Sequence, residues 1–195
     1  TAVVAKTLGE GEPEKANRYF SLFIYFAAAL GAVFAILGIL FIRPISILLG
    51  AEGELLENCV VYARINLVAL PFFILQFIFQ SFFVAAERPQ IGFVVTVLSG
   101  VTNMVLDAVL VTLLPQEHKL AGAAVATAMS QVVGGMVPLF YFGRKNSSIL
   151  RLGRTGFDGK ALLKACTNGS SEFMSSTAMS LISMLYNGQL LKYAG

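Results

Sequence analysis

Two pairs of polar residues, each four positions apart inside an apolar run, are where this 195-residue chain could do chemistry. The first pair is Asn103 and Asp107. Asp107 falls sixteen positions after Ile91, the start of its run, well inside what reads as a membrane span. Four-residue spacing projects both side chains from one helical face. An amide carbonyl beside a carboxylate offers hard oxygen ligands for Na⁺, or a site for a proton. A structural reading stands beside this one: an aspartate hydrogen-bonded to a neighbouring helix. Intramembrane carboxylates are expensive, however, and functional by default. The second pair, Thr127 and Gln131, repeats the spacing in the next run. On its own it reads as helix–helix hydrogen bonding, with Gln131 also a candidate cavity group.

A third feature is Glu172, set among Ser170, Ser171, Ser175, Ser176, Ser180 and Ser183. A helix this polar suits a water-accessible cavity better than lipid. Glu172 is then either a second cation or substrate group, or a solvated acid favoured by the positive end of its helix. The phenylalanines Phe72, Phe73, Phe77, Phe79, Phe82 and Phe83 could line a hydrophobic cavity or simply meet lipid and other helices. His118 stands alone in a polar reversal. Cys59 and Cys166 have no metal-ligand company and read as small apolar helix residues. There is no Gly-rich phosphate loop, no His cluster and no paired-aspartate or Ser/His arrangement, so no enzyme is expected.

The elements that must hold these residues are membrane helices. The chain is 56% hydrophobic and 13% charged, whereas a soluble domain carries about 25% charged residues. A net charge of +3 gives no case for nucleic-acid binding. Five apolar runs approach the roughly 20 residues that a spanning helix needs. They are Phe20–Ile42, Val60–Ala85, Ile91–Leu114, Leu120–Phe142 and, interrupted by serines, Leu162–Tyr193. Thr1–Leu8 resembles the tail of another helix, and both chain ends read as lying within a longer protein. No signal peptide is visible.

The connectors are polar. Arg43–Asn58 predicts a short interfacial turn around Ile45–Gly50. Glu87-Arg88-Pro89 and Pro115–Lys119 predict tight reversals, and Arg144–Lys160 a longer irregular link. Alternating these links across a bilayer puts Lys6, Lys15, Arg18, Arg88, Arg144, Lys145, Arg151, Arg154, Lys160 and Lys164 on one side. Arg43, Arg64, Lys119 and Lys192 fall on the other. The excess of basic residues assigns the first side to the cytoplasm. The basic link reads as topogenic, or alternatively as a lipid-headgroup site. Small residues over Ala121–Ala128 permit close helix approach, while Gly134, Gly135 and Pro138, like Pro71 earlier, predict bends.

The order of motifs carries a resemblance. Glu87-Arg88-Pro89-Gln90-Ile91-Gly92 leads into Gly100-Val101-Thr102-Asn103-Met104-Val105-Leu106-Asp107. Leu120-Ala121-Gly122-Ala123-Ala124-Val125-Ala126-Thr127 follows after a short reversal. This succession resembles the multidrug and toxic compound extrusion (MATE) family, in its bacterial branch. Lys6-Thr7-Leu8-Gly9-Glu10-Gly11 is similar to the family's cytoplasmic turn after helix 2. Pro44 to Gly50 is similar to the external turn after helix 3, and Asn168-Gly169-Ser170-Ser171-Glu172 to helix 7. Glu87-Arg88 departs from the small-residue run usual before helix 5.

The resemblance implies an all-α polytopic bundle: most of one six-helix lobe of a twelve-helix, two-lobe transporter. Residues 1–143 would be the N-terminal lobe from the end of helix 2. Residues 144–161 would be the cytoplasmic inter-lobe linker, and 162–195 the first helix of the C-terminal lobe. The implied function is Na⁺- or H⁺-coupled antiport of hydrophobic or cationic drugs by alternating access, in a multi-pass protein of the inner membrane. Asp107, Asn103 and Thr127 would belong to the cation site. No cofactor beyond the coupling ion is implied, and the partners are the bilayer, small substrates and the remainder of the protein. No cation role transfers to Glu172, whose surroundings depart from the helix-7 pattern. A lipid-linked precursor flippase of the same superfamily, or a non-transporting membrane scaffold, are the alternatives.

Overall fold

The computed structural model describes residues 1–144 and 148–194, the last five of these as backbone. Lys145 and the side chain of Lys192, both counted in the charge tally, lie outside the described residues. The chain divides into two units, Val3–Gly156 and Phe157 onward. The first holds α1 (Ala2–Gly9), α2 (Pro13–Leu48), α3 (Gly53–Ala85), α4 (Pro89–Leu113) and α5 (Lys119–Gly143). A single 3₁₀ turn, Gln116–His118, joins the last two. The second unit is α6, Gly159–Ala194.

Helices α2 and α3, the segment Gln116–Gly143 and α4 are each long and apolar enough to cross a membrane. The fifth expected run does form a helix of 36 residues. It is not among the four candidate spans of the described residues. Its serines, together with Glu172, Asn187 and Gln189, dilute the apolar surface that a lipid-facing helix requires.

Sequential antiparallel hairpins follow from short turns, and their geometry is specific. Helix α2 runs straight through Pro44 to Leu48, so the interfacial turn expected at Ile45–Gly50 is instead helix. The reversal comes at Gly50, whose φ of +90° gives the left-handed residue that ends the helix. The Ala51 N–H then reaches back to the Ser46 carbonyl at 3.0 Å. Beyond the turn the Arg43 guanidinium donates to Glu57 at 2.9 Å, clipping α2 to α3. Helix α3 ends in the same motif, with the Arg88 N–H on the Phe83 carbonyl at 2.8 Å. Here the left-handed position is occupied by Glu87, at φ +57°.

The packed core lies at one end of this unit. Phe20, Ile24, Phe79, Phe82, Phe83, Phe142 and Leu150 form a single buried cluster where α2, α3, α5 and the following segment meet. Phe142 stacks on Phe79 with centroids 5.6 Å apart and meets Phe20 edge-on at 5.1 Å. Such offset and edge contacts suit the aromatic quadrupole. Three of the six crowded phenylalanines of α3 are therefore core, whereas Phe73 and Phe77 are exposed, with their rings against each other.

The link after α5 is irregular, as expected, but it is not free. Asn17, Ser21 and Tyr25, at successive turns of α2, bind its backbone. The Arg151 N–H donates to Asn17 Oδ1 at 2.8 Å and the Gly153 N–H to Ser21 Oγ at 3.0 Å. The Tyr25 hydroxyl donates to the Gly153 carbonyl, and the Thr155 hydroxyl to that of Arg18. Leu150 fills the aromatic cluster with no exposed surface. A strap of about two turns' length thus closes the basic end of the bundle.

Candidate functional site

The face carrying the polar residues is set by how α5 sits between α3 and α4. Helix α5 lies against α3 through Gly134 and Gly135. A Cβ on Gly135 would come within 2.6 Å of the Phe72 carbonyl oxygen, so only glycine allows this approach. The glycine pair lets α5 pack closely on α3, and the helix is continuous from Lys119 to Gly143. Helix α4 lies on the other side. The Ser99 hydroxyl donates to the Ser130 carbonyl at 2.8 Å in a buried bond. Nearer the opposite end, Gly122 meets Leu110 and Leu114. The small-residue run does what its composition implies: Ala124 and Ala126 have no exposed surface.

Those two contacts fix the antiparallel register. Counting outward from the Ser99–Ser130 bond at about 1.5 Å per residue, Asn103 comes level with Thr127. Asp107 stands one turn further out. All three are half-buried, as is Gln131, which lies level with Ser99. The structure therefore brings Asn103, Asp107 and Thr127 to neighbouring turns of two packed helices.

Two atoms stand out. Asp107 Oδ1 and Gln131 Oε1 are buried side-chain oxygens without a hydrogen-bond partner among the described residues. Leaving a neutral buried acceptor unmade costs about 1–3 kcal/mol, and more for a charged one. Neither oxygen takes the dry helix–helix hydrogen bond that the structural readings required. Thr127 uses its carbonyl to accept the Ser130 hydroxyl at 2.8 Å. No group of three or more His, Cys, Asp or Glu gathers among the described residues. The site's chemistry is that of hard oxygens: one carboxylate, two amides and a hydroxyl.

Two α3 residues that sequence reasoning passed over belong to the same region. Gln80 donates through Nε2 to Thr96 Oγ1 at 2.8 Å, tying α3 to α4. The Gln76 amide lies in the space that Gly134 leaves empty: a Cβ there would be 2.4 Å from its Cδ. The signal was available as two glutamines four apart within an otherwise apolar span. Glu172 lies in the second unit, on α6, where its side chain is exposed. His118 is exposed in the 3₁₀ turn, and Cys166 on α6, while Cys59 is partly buried.

Comparison with known proteins decides what this arrangement is part of. The MatE family model matches residues 1–109, more than half of the chain and inclusive of Asn103 and Asp107. The chain belongs to the MatE family. It is 31% identical over 146 residues to the multidrug export protein MepA of Staphylococcus haemolyticus, covering 75% of this chain and 32% of that protein. Against MepA of Staphylococcus saprophyticus it is 29% identical over 191 residues, or 97% of this chain and 42% of the relative. The chain thus spans about a third to two fifths of the curated relatives' length.

The MatE fold is matched as well. A solved structure of a multidrug resistance MATE family transporter in an inward-facing conformation superposes with a TM-score of 0.85. It covers 94% of this chain and 41% of that one at 22% identity. This MatE chain is a multi-pass helical membrane protein, and the all-α lobe architecture expected from its sequence holds.

Proposed function

We propose that the whole protein is a cation-coupled exporter of hydrophobic or cationic drugs, and that Asp107, Asn103 and Thr127 form the cation site of its N-terminal lobe. The observation that carries this reading is the buried, unpartnered oxygen of Asp107, one turn from Asn103 and Thr127 on packed helices. A carboxylate in that position is costly unless a cation or proton joins it. The name of the relatives, multidrug export protein, supports the direction and the substrate class.

On this reading residues 1–143 are the N-terminal lobe, 144–161 the inter-lobe linker and 162–195 the start of the second lobe. Export needs both lobes, with access alternating across the inner membrane. The coupling ion, Na⁺ or H⁺, shifts that equilibrium only by binding one state better than the other. Asp107 supplies the charge, Asn103 and Thr127 supply neutral oxygens, and the glycine-seated α5 holds them in register. A flippase would need a cationic interior. Among the described residues, Arg64 is the one Lys or Arg standing more than two turns from the ends of a spanning helix, and it is exposed.

The test is transport by the full-length protein in proteoliposomes, with a fluorescent lipophilic cation and an imposed Na⁺ or pH gradient. Asp107→Asn should insert normally and lose gradient-driven efflux by at least about tenfold, equivalent to 1.4 kcal/mol. Unimpaired, normally coupled efflux would remove Asp107 from the mechanism.

A further inference from the structure

The second orphaned oxygen, Gln131 Oε1, has no role in the cation site just described. It is buried, neutral and without a donor among the described residues. It lies four residues after Thr127 on α5, so Thr127 is common to both places. The register set by the Ser99–Ser130 bond puts Asp107 outward of the Asn103–Thr127 level and Gln131 inward of it. The Cα levels of Asp107 and Gln131 differ by about 12 Å at 1.5 Å per residue. The ligands of one small cation lie about 2.3–2.6 Å from it, so the two oxygens are not natural partners in one shell. Beyond Gln131 the Gln76 amide occupies the space over Gly134. From Asp107 toward the basic end, the order is therefore carboxylate, amide with hydroxyl, amide, amide.

We infer that Gln131 is a second, neutral station for the coupling cation, on its path between the Asp107 site and the cytoplasm. The inference rests on the cation-site reading of Asp107. An ion held by Asp107, Asn103 and Thr127 can exchange the carboxylate for the Gln131 carbonyl while keeping the Thr127 hydroxyl. A neutral oxygen suits this task because it binds weakly and releases. A carboxylate there would hold the ion. If the coupling ion is a proton, Gln131 serves it as the acceptor for a hydronium or a bridging water, since an amide does not itself titrate. The oxygen is closed off by this chain's own helices, so an ion or small donor reaches it only as those helices shift during the access cycle. Gln131 is thus a transient ligand in ion passage, not one that sets affinity.

The experiment uses the full-length transporter and three variants, measuring equilibrium binding of Na⁺ alone, proton uptake alone, and gradient-driven turnover. Gln131→Met, of matching length, should keep cation affinity within about twofold and lower turnover about tenfold. Gln131→Glu should bind a second cation equivalent and also turn over slowly. Asp107→Asn should abolish the first equivalent. Normal turnover in Gln131→Met overturns the inference, and so does loss of cation affinity as deep as that of Asp107→Asn. Should Gln131→Met fail to fold, Gln131→Glu still decides, because absence of a second equivalent is equally fatal. If Asp107→Asn keeps its cation, the underlying site reading fails instead, whatever the Gln131 variants do.

Discussion

The two ends of the α2–α5 bundle are built on opposite principles. At the basic end, Phe20, Phe79, Phe82, Phe83 and Phe142 interlock, and the strap from Leu150 to Thr155 is bonded across them. Phe20, Phe79 and Phe142 have no exposed surface there, and the Arg151 and Gly153 peptide groups find partners on α2. Away from that end, contact rests on small residues, Gly122, Ala124 and Ala126, and one oxygen each of Asp107 and, at mid-helix, Gln131 has no hydrogen-bond partner among the described residues. One end spends its residues on packing, the other keeps oxygens in reserve. In a membrane this division has a physical basis. Lipid is as apolar as leucine, so helices cohere by close packing and hydrogen bonds, not by escape from water. The aromatic end supplies that cohesion, and the opposite half is free to hold groups that cost energy.

The contrast between the two ends is tested most severely at Phe142. Phe142→Ala leaves a cavity among four rings, and the full-length protein in detergent should lose about 3 kcal/mol in a thermal or denaturant unfolding assay. A cost near that of an exposed site, such as Phe77→Ala, would mean that the aromatic end is not the stabilising half. Gly135→Ala acts where the two regions join. Its new methyl meets the Phe72 carbonyl oxygen at 2.6 Å, which is backbone and cannot rotate away. Separating α3 from α5 should cost about 2 kcal/mol and also reduce cation binding. If binding stays unchanged, the seat of α5 on α3 is irrelevant to the oxygen face. The smallest effect is expected at the turn between α3 and α4. Glu87 occupies a left-handed position at φ +57°, where a Cβ costs about 1 kcal/mol. Glu87→Gly should raise the unfolding midpoint slightly and leave transport unaltered. A lower midpoint would show that the Glu87 side chain contributes more than its backbone costs.

The elements were legible in the sequence because membrane spans are long and lipid tolerates few charges. Four of five runs became candidate spans, and the tight reversals at Glu87 and Pro115 came where turn residues announced them. The end of α2 was missed: the run was expected to stop at Ile42 with a turn around Ile45–Gly50, but the helix continues to Leu48 and the chain reverses only where Gly50 can take a left-handed φ. The packing role of Gly134 and Gly135 was hidden for a similar reason. A glycine's role depends on what approaches it, and the approaching residues, Phe72 and Gln76, lie some sixty positions away.

By itself, the sequence determined that this chain is a helical membrane protein, and that Asp107 and Asn103 share a face, as do Thr127 and Gln131. Composition and i,i+4 spacing are local properties and need no tertiary information. The tertiary structure alone decided which of those faces meet. The Ser99–Ser130 bond sets Asn103 level with Thr127, and packing closes off one oxygen of Asp107 and one of Gln131. Register between helices comes from contacts distant in sequence, so no spacing rule could reveal it. The same holds for the strap on α2, whose irregular linker residues gain their order from Asn17, Ser21 and Tyr25.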